Sequence, residues 1–223
     1  MIDNLLYWAS FPLFSIYTLA MLKMDIQWNA HMPKGPKIIV ANHPSTTDPF
    51  YLSFIAKTPS NILIKDHVFR VPFLGLYLKK SGHIPVIEGQ GRRAFNCARI
   101  NLIRGRTIIL FPEGSLSPEG GGYFKPRTGA ARLALLSGAP VVPVGIHFPQ
   151  KNLNVSPGTY GGKQTEARYL LRGPYHMTVG ESMNFSGDMK DRNLVVSIAE
   201  QIMNRIIELA EQSTRRMQAI PTI

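Results

Sequence analysis

Apolar and polar residues alternate along this chain in short blocks rather than in one long period. Residues 38–41, 62–64, 84–87, 107–111 and 141–147 are brief apolar runs rich in β-branched side chains, the pattern of strands covered on both faces. Between them, residues 49–56, 68–79, 92–104 and 128–137 have helix length and apolar positions spaced three and four apart. Strands alternating with helices predict an α/β fold, a single αβ domain with a largely parallel, helix-covered central sheet. Two later runs, 166–172 and 175–179, read as strands joined through Gly173-Pro174 as a hairpin or sharp turn. Residues 189–217 carry Leu194, Ile198, Ile202, Ile206 and Leu209 on one stripe and predict an amphipathic helix. The Gly-rich piece 158–162 reads as a mobile loop, and no internal repeat is visible.

The N-terminus breaks this rhythm. From Leu5 to Leu22 there is no charge, Pro12 interrupts the run, and Asp3 stands where a secretory signal would carry positive charge. Trp8, Tyr7, Tyr17 and Lys23 near its ends favour a helix, or a bent helical pair, lying in one leaflet of a membrane interface. A single span and a helix covering the domain's own core are the alternatives. The expected organisation is an apolar, membrane-interacting N-terminal helical segment at 1–25 and the main domain at 26–223.

Composition narrows the partners. In 223 residues, 25 Lys plus Arg against 14 Asp plus Glu give a formal charge of +11, which favours anionic partners such as phospholipid surfaces or phosphorylated metabolites. The basic residues are dispersed without interleaved aromatics, so no nucleic-acid partner is expected. A single cysteine, Cys97, excludes an internal disulfide and a cysteine metal cluster, and it reads as a buried structural thiol in a reducing compartment. His31, His67, His147 and His176 have no ligand-like spacing, His83 reads as structural, and no metal is expected.

Chemistry is concentrated in Asn42-His43-Pro44-Ser45-Thr46-Thr47-Asp48. Histidine titrates near neutral pH and can take a proton from a hydroxyl, while a nearby carboxylate fixes the ring tautomer and stabilises the imidazolium. The preceding apolar run places His43 at the C-terminal end of a strand, the edge where open α/β sheets hold their sites. Asp48, followed by Pro49, also stands where a helix begins and can cap it. The plainer reading keeps Asp48 as a cap only and His43 as a loop residue. A second segment, Phe111-Pro112-Glu113-Gly114-Ser115, follows another strand and reaches the same edge. Lys125, Arg127 and Arg132 then surround Thr128-Gly129, a helix start whose free amides favour phosphate.

Four motifs in order, Asn42-His43-x4-Asp48, Gly82-His83-Ile84-Pro85-Val86, Phe111-Pro112-Glu113-Gly114-Ser115 and Val141-Val142-Pro143-Val144-Gly145-Ile146, resemble the glycerophospholipid acyltransferase family typified by 1-acylglycerol-3-phosphate acyltransferases. The likeness covers roughly residues 35–150. It implies an acyltransferase of phospholipid synthesis in which His43 is the base, Asp48 orients it, and Glu113, Gly114 and Ser115 help bind the acceptor. The acyl group would pass from acyl-CoA or acyl carrier protein, as co-substrate and with no cofactor, to a hydroxyl of lysophosphatidic acid. Glycerol 3-phosphate or another lysolipid is the alternative acceptor. Such an enzyme would work at the cytoplasmic face of a phospholipid membrane.

Two departures bear on phosphate recognition. Leu116 stands where the family commonly has Arg, and Val86-Ile87-Glu88 lacks the Arg that often follows the second motif. Lys125 or Arg127 is the expected replacement. Backbone N–H groups near Thr46, Thr47 or Gly114 are candidate oxyanion donors, and residues 68–78 are a candidate apolar groove beside their plainer use in core packing. A thioesterase using the same His–Asp pair on water, and a non-catalytic membrane-binding protein, are the competing classes.

Overall fold

A computed structural model describes residues 2–160 and 163–219 of the chain. A seven-stranded sheet forms its centre. The strands are β1 (Met24–Trp28), β2 (Ile38–Ala41), β3 (Ser60–Lys65), β4 (Ile84–Val86), β5 (Thr107–Leu110), β6 (Val141–His147) and β9 (Tyr175–Val179), in spatial order β1-β9-β6-β2-β5-β3-β4. Neighbouring strands are parallel except β6 and β9, which run antiparallel. The fold is therefore α/β with a mostly parallel central sheet between helices.

The two-residue period of the strands sorts the core into two halves. Ile38, Val40, Ile108 and Leu110 face one side and pack against α4 (Gly91–Ile103), α5 (Gly129–Ser137) and α6 (Arg192–Ala219). Ile39, Ala41 and Ile109 face the other, with Tyr51, Leu52 and Ile55 of α2 (Asp48–Ile55). Because both faces are covered, β2 and β5 are buried at every position. Gly145 lets α6 lie directly on β6, since a Cβ there would come within 1.9 Å of the Ala210 backbone nitrogen.

Four expectations about elements change. The segment 68–79 is not one helix. A 3₁₀ turn at Asp66–Arg70 and α3 (Leu74–Lys80) are separated by Val71, Pro72 and Phe73, because the proline has no N–H to continue the first turn. The expected helix over 189–217 starts at Arg192, where Asp191 Oδ1 accepts the amides of Asn193 and Leu194 at 2.9 and 3.1 Å. Residues 166–172 do not form a hairpin with β9. Instead β7 (Asn154–Tyr160) and β8 (Lys163–Tyr169) pair with each other as a separate antiparallel ribbon. Gly158, Thr159 and Tyr160 of the expected loop belong to β7, and Gly161 and Gly162 lie outside the described residues. Strand β1 was not anticipated, because Asp25 and Gln27 alternate with Met24, Ile26 and Trp28 and leave no apolar run.

The N-terminal segment is one helix, α1 (Ile2–Ala20), which continues through Pro12 and packs against α2 and α3. Phe11 stacks on Phe54 with centroids 5.1 Å apart, and Tyr17 donates to the Leu171 carbonyl. Its outer side leaves Trp8, Leu13, Ile16 and Leu19 exposed. Among the described residues no helix is long and apolar enough to cross a membrane.

Candidate active site

Strand β2 ends at Ala41, and the next residue extends the ladder by side chain. Asn42 Oδ1 accepts the Ile146 amide at 2.8 Å, and its Nδ2 donates to the Ile146 carbonyl at 2.9 Å. This amide pairing ties the chain to β6 at the point where it turns out of the sheet. His43 follows at the C-terminal edge, its ring stacked on Phe111 at 3.9 Å between centroids and tilted by 16°.

His43 Nδ1 lies 3.1 Å from Asp48 Oδ2. The carboxylate is fully buried and also accepts the Ser45 amide at 2.7 Å and the Tyr175 hydroxyl at 2.8 Å. Burial pushes the Asp48 carboxyl up from its ordinary value, opposed by the hydrogen bond and charge of His43 and by the bonds from Ser45 and Tyr175. The donors leave Asp48 no part in capping. Thr47 occupies the cap position of α2, but its hydroxyl bonds Ser45 Oγ and the Leu170 carbonyl instead of a helix amide, and the Asp48 carboxylate turns back into its own loop. The His43 side chain keeps 16% of its surface open, so the pair is a buried carboxylate beneath an imidazole that meets solvent.

The second loop is built around Glu113, which is only 3% exposed. Its Oε1 accepts the Ser117 hydroxyl at 2.6 Å and the His43 amide at 3.2 Å, and its Oε2 accepts the Phe124 amide at 3.0 Å. Ser117 Oγ is 3.1 Å from the His43 amide, and the Ser117 amide donates to the His43 carbonyl at 2.8 Å. His43 is thus held by its backbone to one loop and by its ring to the other.

Of the cations, Arg127 meets this loop. Gly114 has φ +71°, and a Cβ on it would lie 2.3 Å from Arg127 Nε, so the guanidinium crosses the face that glycine leaves open. The Arg127 amide is anchored on the Pro112 carbonyl at 2.8 Å. Ser115 is half-buried beside it, and Lys125 is exposed on the same connection. Arg132 does not join them. Its Nε is 3.3 Å from Thr128 Oγ1 and its Nη1 3.4 Å from the Met189 carbonyl, which turns it along α5 toward the start of α6.

The amides of Thr46, Thr47 and Gly114 are engaged with the Arg168 carbonyl, Ser45 Oγ and the Phe111 carbonyl at 2.7, 3.2 and 3.0 Å. The turns that present His43 and Glu113 consume these donors, so the expected oxyanion role does not fall to them.

Sequence reasoning missed three supports. In the sequence Phe111 stands only as the start of a motif, and Tyr175 only as part of a strand. Arg168 of β8 is buried, with Nη2 donating to the Ser117 carbonyl and Nε 3.1 Å from Glu166 Oε1. Its own carbonyl accepts Ser45 Oγ at 2.9 Å. The β7–β8 ribbon therefore clamps both loops from outside the motifs, a contact without a local signal in the chain. His83 is structural in its bonding, since its Nδ1 accepts the Ile62 amide at 3.2 Å. Cys97, expected to be buried, is exposed, because the face of α4 that packs inward carries Ala94, Ala98 and Leu102 instead. Among the described residues no group of His, Cys, Asp and Glu has the arrangement of a metal site.

Comparison with known proteins gives the family and the fold. The family described as Acyltransferase matches residues 23–147. A 1-acyl-sn-glycerol-3-phosphate acyltransferase of Pseudomonas aeruginosa is 27% identical over 161 residues, covering 68% of this chain and 62% of that protein. A lyso-ornithine lipid O-acyltransferase of the same organism is 33% identical over 132 residues, 58% of this chain and 50% of the relative. The chain thus spans between half and two thirds of the length of these relatives. The crystal structure of the 1-acyl-sn-glycerophosphate acyltransferase PlsC from Thermotoga maritima has the same fold, with TM-score 0.63, 19% identity and coverage of 99% of this chain and 80% of that one.

Proposed function

The chain belongs to the Acyltransferase family, and from that premise we propose that it transfers a fatty acyl group from a thioester donor to the free hydroxyl of 1-acylglycerol 3-phosphate in phospholipid synthesis. The observation that carries the reading is the 3.1 Å contact between His43 Nδ1 and the buried Asp48 carboxylate. With Nδ1–H directed at Asp48, the lone pair of Nε2 is available to an incoming hydroxyl. Nε2 takes the hydroxyl proton as the acceptor oxygen attacks the thioester carbonyl. The C–O bond forms, the tetrahedral intermediate collapses with loss of the C–S bond, and the imidazolium returns its proton to the departing thiolate. Acyl-CoA and acyl carrier protein are both chemically suited donors, and the step needs no further cofactor.

Glu113 acts in this reading as a positioning residue, because its oxygens are taken up by Ser117, Phe124 and the His43 amide. The acceptor phosphate then falls to Arg127, lying over Gly114, with Lys125 beside it. Ser115 follows Gly114 on the same loop. A lysolipid acceptor resides in a bilayer, so α1 serves as the membrane-contacting segment at the cytoplasmic face; the boundary expected at residue 25 moves ahead of Met24, because Met24 and Asp25 pair with β9 in the central sheet that carries the chemistry. The exposed Leu13, Ile16 and Leu19 of α1 support that division.

A second acceptor reading has its own observation. Leu116 replaces the Arg expected after Gly114-Ser115, and one relative is named for a lyso-ornithine lipid. A zwitterionic lysolipid makes less demand on a missing guanidinium. The deciding experiment incubates the purified protein with a palmitoyl thioester and, in turn, 1-acylglycerol 3-phosphate, glycerol 3-phosphate or a neutral lysolipid, resolving products by mass. Acylated 1-acylglycerol 3-phosphate is the expected product. Thiol release without any acceptor would make the chain a thioesterase instead.

A further inference from the structure

The segment between the Asp66–Arg70 turn and α3 spends apolar side chains on solvent. Phe73 is 89% exposed, Val71 47% and Leu76 56%. Its backbone is unusual as well, for Phe73 has φ +60° and ψ −51° without being glycine. A bulky residue in that region costs about 1–3 kcal/mol and persists only where the surroundings impose it. Here Gly75 imposes it. A Cβ on Gly75 would lie 2.0 Å from the Phe69 carbonyl oxygen, so the start of α3 is pressed against the preceding turn and the intervening residues are pushed outward. Residues expected to line a groove or fill the core form a protrusion instead.

We propose that Val71, Phe73 and Leu76 form a wedge that inserts into the surface of an anionic phospholipid bilayer beside the catalytic edge of the sheet. The inference extends the lipid-acceptor reading above and rests on it for its biological purpose. Position supports it, since the segment follows the C-terminal end of β3. That end lies on the same sheet edge as His43, with β5 between β2 and β3. Two strand spacings separate them, roughly 10 Å. Charge selects the occupant: residues 65–80 contain Lys65, Arg70, Lys79 and Lys80 against Asp66 alone, a net of four minus one. All four cations are exposed, and Asp66 pairs with Arg70 at 2.9 Å. An apolar tip on a segment of net positive charge fits an anionic headgroup layer with acyl chains beneath it. The exposed row on α1, which packs on α3, adds a second contact for the same surface.

The test compares the full chain with Phe73→Gly. Glycine adopts a positive φ freely, so this change removes the apolar tip while relieving the backbone, and thermal stability should hold or rise. Co-sedimentation with vesicles of equal phosphatidylglycerol and phosphatidylcholine should fall roughly tenfold for the variant, the scale of withdrawing one aromatic ring from lipid. Undiminished vesicle binding would overturn the wedge. So would a loss of self-association in solution with unchanged vesicle binding, because the face would then join two copies of the chain. Acyl transfer to a detergent-dispersed acceptor should be the same for both proteins. Absence of transfer by the parent would remove the acyltransferase reading, while the vesicle comparison still decides the wedge.

Discussion

Tyr175 donates its hydroxyl to Asp48 Oδ1 at 2.8 Å, joining a strand late in the chain to the carboxylate under His43. Both side chains are fully buried, so this bond has no water to replace it. Tyr175→Phe should cost about 1–3 kcal/mol in denaturant unfolding, the penalty of a buried acceptor left short of a donor. Catalysis should fall several-fold in kcat with KM little changed, as the carboxylate loses its hold on the ring.

His43→Ala should lower the acyl-transfer rate by roughly 10²–10⁴. Asp48→Asn should come close to it, because an amide no longer favours the tautomer that leaves Nε2 unprotonated. Circular dichroism should show both variants folded, and isothermal titration should show acceptor binding retained by His43→Ala. Wild-type turnover in His43→Ala would end the general-base assignment.

Glu113→Gln replaces one acceptor oxygen with an N–H₂ group. Either the Phe124 amide or the Ser117–His43 pair then faces a donor instead of an acceptor. The expected loss is about 1–3 kcal/mol of stability, with kcat reduced and both KM values nearly constant. A rise confined to the acceptor KM would show that Glu113 touches the acceptor directly.

Arg127→Ala should raise KM for a phosphorylated acceptor well above any change in KM for the thioester donor, consistent with lost ground-state binding of a phosphomonoester. Steady-state kinetics with each substrate varied in turn makes the measurement. If the donor KM alone rises, the guanidinium serves the donor's phosphate.

His83 supplies a pH signature separate from His43. Burial holds its imidazole down at about 4, from an ordinary value of 6.5. Between those limits the unfolded chain binds a proton that the folded chain refuses, so stability is full above pH 6.5 and drains as the pH falls toward 4. The drop is about 3 kcal/mol at most. His83→Asn keeps an acceptor for the Ile62 amide and should flatten that part of the stability–pH curve in urea titrations at several pH values.

The chain's own periodicities determined the strands β2 to β6, the helices between them and the apolar stripe of α6, because local burial demands write themselves as periods of two and 3.6. The motif loops were legible for the same reason: His43 and Glu113 stand just beyond the ends of β2 and β5, and Asp48 opens the helix that follows. Element junctions were less legible, as the break at Pro72 and the ribbon β7–β8 show, since turn geometry and pairing partners lie beyond a short window. Only the folded chain decided which groups support the site. Tyr175 reaches Asp48, Phe111 stacks on His43, Arg168 holds the Ser117 carbonyl, and Arg127 but not Arg132 crosses Gly114. Each of these contacts joins residues distant along the chain, most of them through packing between separate elements. Hydrogen bonds and ring stacks act over a few ångströms in space and leave no period in the sequence.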